Sequence, residues 1–237
     1  TIYLKDHKKI PPALRPQIGR GLLRCAETTL QLLRLACACG KVVIVTLADR
    51  LWVDMTCRAS YPSVGMAIKD LGIKVIYAKE VGKELLKKRG PEQDAEVFWA
   101  KAKAECIARE VQEFYSQYEG QSWKNIISIG DSHFERLGTL LITSEYMREK
   151  GLLSDHDEVN EQEFKVRTKT LKMVSEPTLE ELTREIDLLN RWLPAMVSKD
   201  SSLDLVIDCL DDMSQVREVE DALSGSPKSP KVAGFGV

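Results

Sequence analysis

Short apolar runs alternate along this sequence with longer segments in which apolar residues recur every three or four positions. "KVVIVT", "IKVIYAKE" and "NIISIG" are typical of strands buried on both faces, and "FKVRTKTLKM" alternates in the manner of a fourth strand. The longer segments predict amphipathic helices over 22–39, 52–72 with a break at Tyr61-Pro62, 95–118, 133–147 and 178–197. This alternation predicts an α/β fold, with a doubly wound (Rossmann-like) parallel sheet flanked by helices.

The C-terminal part of the chain follows a different pattern. Residues 203–223 carry a weaker amphipathic repeat, and residues 224–237 are rich in Gly, Ser and Pro. We therefore expect an α/β domain over 1–195, a helical extension over 196–223 and a disordered tail over 224–237. The acids of "LDLVIDCLDDM" would then be the solvated face of a helix.

Composition narrows the class of protein. The 237 residues carry a formal net charge of -2, which argues against nucleic acid or an acidic membrane surface as a partner. No apolar run approaches the roughly 20 residues of a membrane span. The six cysteines form no metal-type CxxC pair and most lie in apolar segments, so we expect reduced core residues in a cytoplasmic protein.

Polar residues follow two of the predicted strands at their carboxyl ends, where open parallel sheets bind ligands. Thr46 ends the first strand, and Gly130-Asp131-Ser132 follows "NIISI". If a helix starts there, Asp131 and Glu135 lie about one turn apart and could hold a divalent cation. A hydroxyl group, a lysine from the helix over 95–118 and a pair of acids would together suit a phosphoryl group beside magnesium.

These motifs resemble those of the haloacid dehalogenase-like (HAD-like) hydrolase superfamily. Its second motif is a strand that ends in Thr or Ser, which "VVIVT" matches through Thr46. Its fourth motif is commonly Gly-Asp-x-x-x-Asp, which "IGDSHFE" matches through Asp131, with Glu135 in place of the second aspartate. The match spans roughly residues 22–138, and it is similar in detail to a group of uncharacterised algal and protist members.

The third motif of that superfamily is a lysine on a helix. Lys101 and Lys103 are both candidates, and Lys103 fits the pattern better because Cys106 and Ile107 follow it. The resemblance implies a Mg²⁺-dependent phosphatase that acts through an aspartyl-phosphate. Asp131 and Glu135 would then be metal ligands, with Thr46 and Lys103 as catalytic residues.

The resemblance further implies that Thr46, Leu47, Lys103 and Ser132 bind the substrate. Little sequence separates the predicted strands, so we expect no folded cap domain. In this superfamily, open sites of that kind are associated with large phosphorylated substrates, including proteins.

One departure from the superfamily pattern affects the expected activity. Its members carry Asp-x-Asp after the first strand, where the leading aspartate attacks phosphorus, and no such pair precedes Thr46. Asp6 has no acidic partner two positions away on either side. Either the sequence is a fragment that lacks the nucleophile motif, which we favour, or the protein is an inactive module that binds a protein or phosphorylated ligand. In both cases we expect no turnover by this chain.

Overall fold

Every strand pair in the described part of the chain is parallel. The computed structural model describes residues 11–89, 95–117, 123–150 and 166–225. Strands β1 (Val43–Thr46) and β2 (Lys74–Tyr77) form one sheet, with Val43 opposite Lys74. Strands β3 (Asn125–Gly130), β4 (Arg167–Lys172) and β5 (Leu203–Val206) form a second sheet in that order. The protein is therefore a mixed α/β structure with parallel sheets.

Helices occupy most of the remaining described residues. In chain order they are α1 (Arg15–Cys39), α2 (Arg50–Ser60), α3 (Pro62–Asp70), α4 (Ala78–Arg89), α5 (Ala95–Ser116), α6 (His133–Glu149), α7 (Leu179–Ser198) and α8 (Met213–Ser224). The helices predicted before residue 198 are confirmed, and so are the four predicted strands.

Local sequence explains where several of these helices begin and end. Pro62 occupies the first turn of α3, where its missing N–H costs nothing, and this separates α3 from α2. Gly72 follows α3 with a φ of 65°, a left-handed conformation that glycine adopts without strain, and the chain then enters β2. Thr178 and Glu181 form a reciprocal capping box at the start of α7, as the sequence pattern predicts.

The helices pack in two groups. Helix α1 packs against α3 and α7, and α5 packs against α4 and α6. The side-chain amide of Asn190 in α7 donates to the Thr28 carbonyl of α1 over 3.1 Å. Gly138 in α6 lies so close to α5 that an added Cβ would meet the Ala104 amide nitrogen at 3.2 Å. Each group therefore joins elements near β1 and β2 to elements near β3, β4 and β5.

The larger hydrophobic core lies between the three-stranded sheet and helices α7 and α8. It includes Leu171, Trp192, Met196 and Ile207, all at least nine-tenths buried. A second cluster lies between α5, α6 and the start of β3, where the rings of Trp123 and Tyr146 stack with centroids 4.1 Å apart. These cores fix β3 and the loop that follows it.

A buried lysine links the inner strand to the end of α7. Lys169 of β4 is fully buried, and its ammonium group donates to the carbonyls of Met196, Val197 and Lys199 over 2.7, 3.3 and 2.6 Å. These are carbonyls at a helix C-terminus, which have no partners within the helix. Burial lowers the pKa of Lys169, and the carbonyl dipoles offset part of that cost.

The structure corrects two of the sequence-based predictions. Residues 203–206 form strand β5 in register with β4, whereas a helix was predicted there, because pairing with a neighbouring strand overrides a weak helical repeat. The six cysteines are free, as expected, but Cys39 and Cys209 are exposed rather than in the core. Helix α8 confirms the helical character of the segment that follows β5.

Some predictions fall on residues outside the described ranges. They concern Asp6 and most of the tail over 224–237. Among the described residues, no helix is both long enough and apolar enough to cross a membrane.

Candidate functional site

The loop at the carboxyl end of β3 turns directly into α6. Ser132 caps the helix, because its hydroxyl accepts from the Phe134 N–H over 3.3 Å. Gly130 leaves room for Glu135 to fold back over the loop, since a Cβ at this position would meet Glu135 Cδ at 3.0 Å. The sequence "GDSHFE" therefore sets both the start of the helix and the direction of its first acid.

Glu135 forms an ion pair with Lys103, which reaches the same loop from α5. The two side chains are 14% and 6% exposed, respectively. The other carboxylate oxygen of Glu135 accepts from the Ser132 hydroxyl. The Lys103 ammonium also lies 5.7 Å from the centre of the Phe134 ring. Lys103 is thus held at the end of β3 by contacts with Phe134 and Glu135, both in the first turn of α6.

The charge state of Lys103 is shifted by its surroundings. Burial lowers the pKa of Lys103 to about 8, and the negative charge of Asp131 opposes that shift. Lys103 is therefore mostly protonated at pH 7 but loses its proton over a range only slightly above it. A cation of this kind can neutralise an anion that binds beside it.

Asp131 lies between this cluster and the loop that follows β4. Asp131 is exposed, and its backbone carbonyl accepts from the Ser175 hydroxyl over 2.9 Å. The loops after β3 and β4 are therefore joined at the same edge of the sheet. His133 is also exposed.

Sequence reasoning missed an acid beside this edge. Glu185 of α7 is 3% exposed, and its carboxylate accepts from the Val174 N–H over 2.8 Å. Burial raises the pKa of Glu185 to about 7; the Val174 N–H opposes that shift, and the charge of Asp131 adds to it. The sequence feature that could have identified Glu185 is its place in the apolar stripe of α7, three residues after Leu182 and four before Leu189.

A second ion pair lies at the same edge. The Lys172 ammonium at the end of β4 pairs with Asp208, which follows β5. The hydrogen bond from Lys172 is the main cause that lowers the pKa of Asp208. The sequence placed Asp208 on a helix, whereas the structure places it at the carboxyl end of a strand.

Thr46 lies at the carboxyl end of the other sheet. Its hydroxyl accepts from the Ala48 N–H over 3.0 Å and so shapes the turn that contains Leu47. Among the described residues, no hydrogen bond or ion pair joins Thr46 to Asp131 or Lys103. The structure therefore brings together Lys103, Asp131, Ser132 and Glu135, and it places Thr46 and Leu47 at the end of β1. Lys101, the alternative lysine, is exposed.

The donors at this edge fit a magnesium ion only in part. Mg²⁺ in phosphate sites is commonly held by one or two carboxylates together with substrate oxygens and waters. Asp131 suits that role, but Glu135 is already engaged by Lys103 and Ser132. Within the described ranges, no group of three or more His, Cys, Asp or Glu residues could hold a metal ion. A metal here would need further oxygen ligands from the substrate or from another segment.

Comparison with known proteins finds no match for this chain. No protein-family model, no curated protein and no solved structure matches the chain.

Proposed function

We propose that this chain forms the larger part of a HAD-like phosphatase domain, with a doubly wound sheet and a phosphate site at the carboxyl ends of its strands. Hydrolysis would require an Asp-x-Asp segment that precedes Thr46 in other members of the superfamily and that this sequence lacks. The protein would act in the cytoplasm on phosphorylated substrates, including phosphorylated proteins.

One observation carries the proposal. Lys103, a residue of α5, lies against the loop after β3, and the charge of Asp131 acts on it there. A buried cation beside an exposed acid at the carboxyl end of a parallel strand can bind a phosphate together with a metal ion. Lys103 and Asp131 are 28 positions apart in the sequence, so only folding brings them together.

Each residue has a definite role in this proposal. The Lys103 ammonium would neutralise a phosphate oxygen, and Glu135 would position Lys103 rather than touch the substrate. The Thr46 hydroxyl and the Leu47 N–H would donate to other phosphate oxygens, and the Ser132 hydroxyl would join them by exchanging its bond to Glu135 for one to phosphate. Asp131 would hold Mg²⁺, which would supply charge neutralisation for the phosphate group.

Hydrolysis would require a segment that carries Asp-x-Asp. The carboxylate of its leading aspartate would form a bond to phosphorus, and the bond from phosphorus to the ester oxygen would break. The second aspartate would protonate the departing oxygen and then take a proton from the water that hydrolyses the aspartyl-phosphate. The chain by itself would bind phosphate without turnover.

Binding of inorganic phosphate to the full chain tests the site. We expect a change in the phosphorus NMR signal of phosphate in the presence of MgCl₂. Lys103→Met should weaken binding by about tenfold or more, because a charge-assisted contact is lost. Lys101→Met is the matched control, since Lys101 is exposed two residues away on the same helix. Equal affinity of the two variants would contradict the proposed site.

The second candidate is an interaction module that binds a phosphorylated ligand and never hydrolyses it. The absence of Asp-x-Asp before Thr46 favours it. The two candidates share the phosphate site and differ in turnover. A longer natural chain that carries Asp-x-Asp would support the phosphatase, whereas a complete natural chain without it would support the module.

A further inference from the structure

The carboxyl edge of the three-stranded sheet carries a second buried lysine in addition to Lys103. Lys172 is the last residue of β4, and its side chain is 4% exposed. Its ammonium group pairs with Asp208, whose side chain is 64% exposed. A lysine this deeply buried requires a counter-charge, because an unpaired charge out of water is strongly destabilising. The partner that the structure shows for Lys172 nevertheless lies mostly in solvent.

The register of the sheet places Lys172 beside the ion pair of Lys103. Lys172 lies opposite Gly130 of β3, one strand spacing or about 5 Å away. Residues paired across neighbouring strands direct their side chains to the same face of the sheet. A Cβ on Gly130 would meet Glu135 Cδ at 3.0 Å, so the Glu135 side chain lies on that face. Lys172 therefore shares a face of the sheet with Glu135 and, through it, with Lys103.

Electrostatic effects link Lys172 to Asp131 as well. Burial raises the pKa of Glu185 to about 7, and among the smaller causes the charge of Asp131 adds to that shift whereas the charge of Lys172 opposes it. Both charges thus act on the same buried carboxyl group. Lys172 belongs to the same edge as the proposed phosphate site.

The two buried lysines differ in how firmly their partners are held. The second carboxylate oxygen of Glu135 accepts from the Ser132 hydroxyl, which keeps Glu135 beside Lys103. Asp208 is mostly hydrated, so transfer of its carboxylate fully into water costs little. The Asp208 N–H donates to the Gln215 side chain over 2.7 Å, which holds its backbone rather than its carboxylate. Lys172 is therefore the buried cation whose partner an incoming anion can replace.

The incoming anion must compete with a carboxylate. A second carboxylate would exchange one single charge for another, with little gain. A phosphate group carries a charge of about −1.5 to −2 at pH 7 and three acceptor oxygens, so it gains more from a buried ammonium group. The pKa of Asp208 is lowered mainly by the hydrogen bond from Lys172 and to a smaller extent by the charge of His133, so a further cationic side chain lies near this position.

We propose that the Lys172 ammonium binds a second phosphate group of the substrate, which displaces the Asp208 carboxylate. This inference rests on the proposed function, in which Lys103 and Asp131 serve the first phosphate. Together the two lysines select substrates that carry two phosphate groups about 5 Å apart, the spacing of neighbouring strands. Asp208 occupies the second position in the absence of such a substrate.

Titration with phosphonates of defined length tests the second position. The full chain is titrated by calorimetry with methylphosphonate and with alkane diphosphonates of increasing chain length, all at one MgCl₂ concentration. We expect one diphosphonate to bind about tenfold more tightly than methylphosphonate, because it adds a charge-assisted contact. The phosphonocarboxylate of the same chain length should show little of this gain, since its carboxylate competes with Asp208 on equal terms.

Substitutions at the ion pair identify the residue responsible. Lys172→Met should abolish the preference for the diphosphonate. Lys124→Met is the matched control, because Lys124 is an exposed lysine at the amino end of β3, the opposite edge of the same sheet. Asp208→Asn should bind the diphosphonate more tightly than the parent, because an uncharged amide competes less well for the ammonium group. A pair with a merely structural role would give no such gain.

Several outcomes would overturn the inference. These are equal affinity for methylphosphonate and every diphosphonate, a preference that persists in Lys172→Met, and weaker or unchanged diphosphonate binding by Asp208→Asn. If circular dichroism shows that Lys172→Met does not fold, the result for Asp208→Asn decides. Equal affinity for the diphosphonate and the matching phosphonocarboxylate would overturn the assignment to phosphate.

The same titrations separate this inference from the proposed function. Lys103→Met should weaken binding of methylphosphonate and diphosphonate alike. Methylphosphonate binding that depends on Lys103, without a gain for any diphosphonate, would contradict the second position alone. Failure of the parent to bind either kind of probe would contradict the phosphate site and the second position with it.

Discussion

Lys103 and Glu135 form an ion pair in which both side chains are largely buried, at the point where α5 meets the loop after β3. The pair joins two helices that are separated by a strand in the sequence. Taking two charges out of water is costly, and the attraction between them offsets that cost only while both partners are present. The stability of this edge therefore depends on the pair being intact.

Replacing Glu135 with Gln should destabilise the protein more than a surface change would. The substitution leaves a buried ammonium without its counter-charge, which costs roughly 3 kcal/mol. We expect a lower midpoint in urea denaturation, and the double variant Lys103→Met with Glu135→Gln should recover much of the loss. Glu105→Gln is the control, because its pair with Arg109 is about half exposed and such pairs contribute about 1 kcal/mol or less. A Glu135→Gln variant as stable as the Glu105→Gln control would show that burial of Lys103 does not depend on the Glu135 carboxylate.

Asp131 should be essential for hydrolysis in a longer chain that carries the Asp-x-Asp segment. We expect such a chain to hydrolyse p-nitrophenyl phosphate only with added Mg²⁺, and Asp131→Asn to abolish the activity, because the amide is a much weaker ligand for a hard cation. Asp187→Asn, a change at an exposed acid of α7, should have no effect. Turnover without metal, or by the Asp131→Asn variant, would rule out the proposed role.

Glu185 should make stability depend on pH near neutrality. Burial raises its pKa to about 7, whereas the value in the unfolded chain is near 4.5. Between those values the native state keeps a proton that the unfolded state releases, so the free energy of unfolding falls as pH rises through this window. The accumulated loss above pH 7 is up to about 3 kcal/mol.

Glu185→Gln should remove that dependence. A glutamine keeps an oxygen that accepts from the Val174 N–H but does not ionise. We expect the variant to gain stability relative to the parent as pH rises from about 5 to 8, measured by urea denaturation at each pH. Glu180→Gln, at an exposed position on the same helix, should follow the parent. Parallel curves for the parent and Glu185→Gln would show that Glu185 titrates normally.

Gly138→Ala should weaken the contact between α5 and α6. The added Cβ would lie 3.2 Å from the Ala104 nitrogen and 3.4 Å from the Ala100 carbonyl oxygen, and both are backbone atoms that cannot move independently. Overpacking of this kind costs about 1–3 kcal/mol. Gly19→Ala in α1 is the matched control, since nothing lies within 4 Å and alanine favours a helix. We expect Gly138→Ala to lower the melting temperature and Gly19→Ala to raise it. A Gly138→Ala variant with a raised melting temperature would show that α5 and α6 can move apart without cost.

Local pattern was sufficient to locate most elements, because strands and helices differ in the period of their apolar residues. It failed at residues 203–206, where pairing with β4 overrides the weak helical repeat. It gave no sign that Lys169 is buried, and for Glu185 only its place in the apolar stripe of α7. The partners that make burial of a charged residue possible come from distant parts of the chain.

The sequence by itself determined the alternation of helices and strands, and it placed Thr46 and Asp131 at the carboxyl ends of two strands. Only the tertiary structure decided that Glu135 turns toward Lys103, that β4 lies between β3 and β5, and that β1 and β3 belong to separate sheets among the described residues. The physical reason is how far apart in the sequence the interacting residues lie. Backbone periodicity is set by neighbours a few residues away, whereas ion pairing, strand order and burial depend on which distant segments the fold brings together.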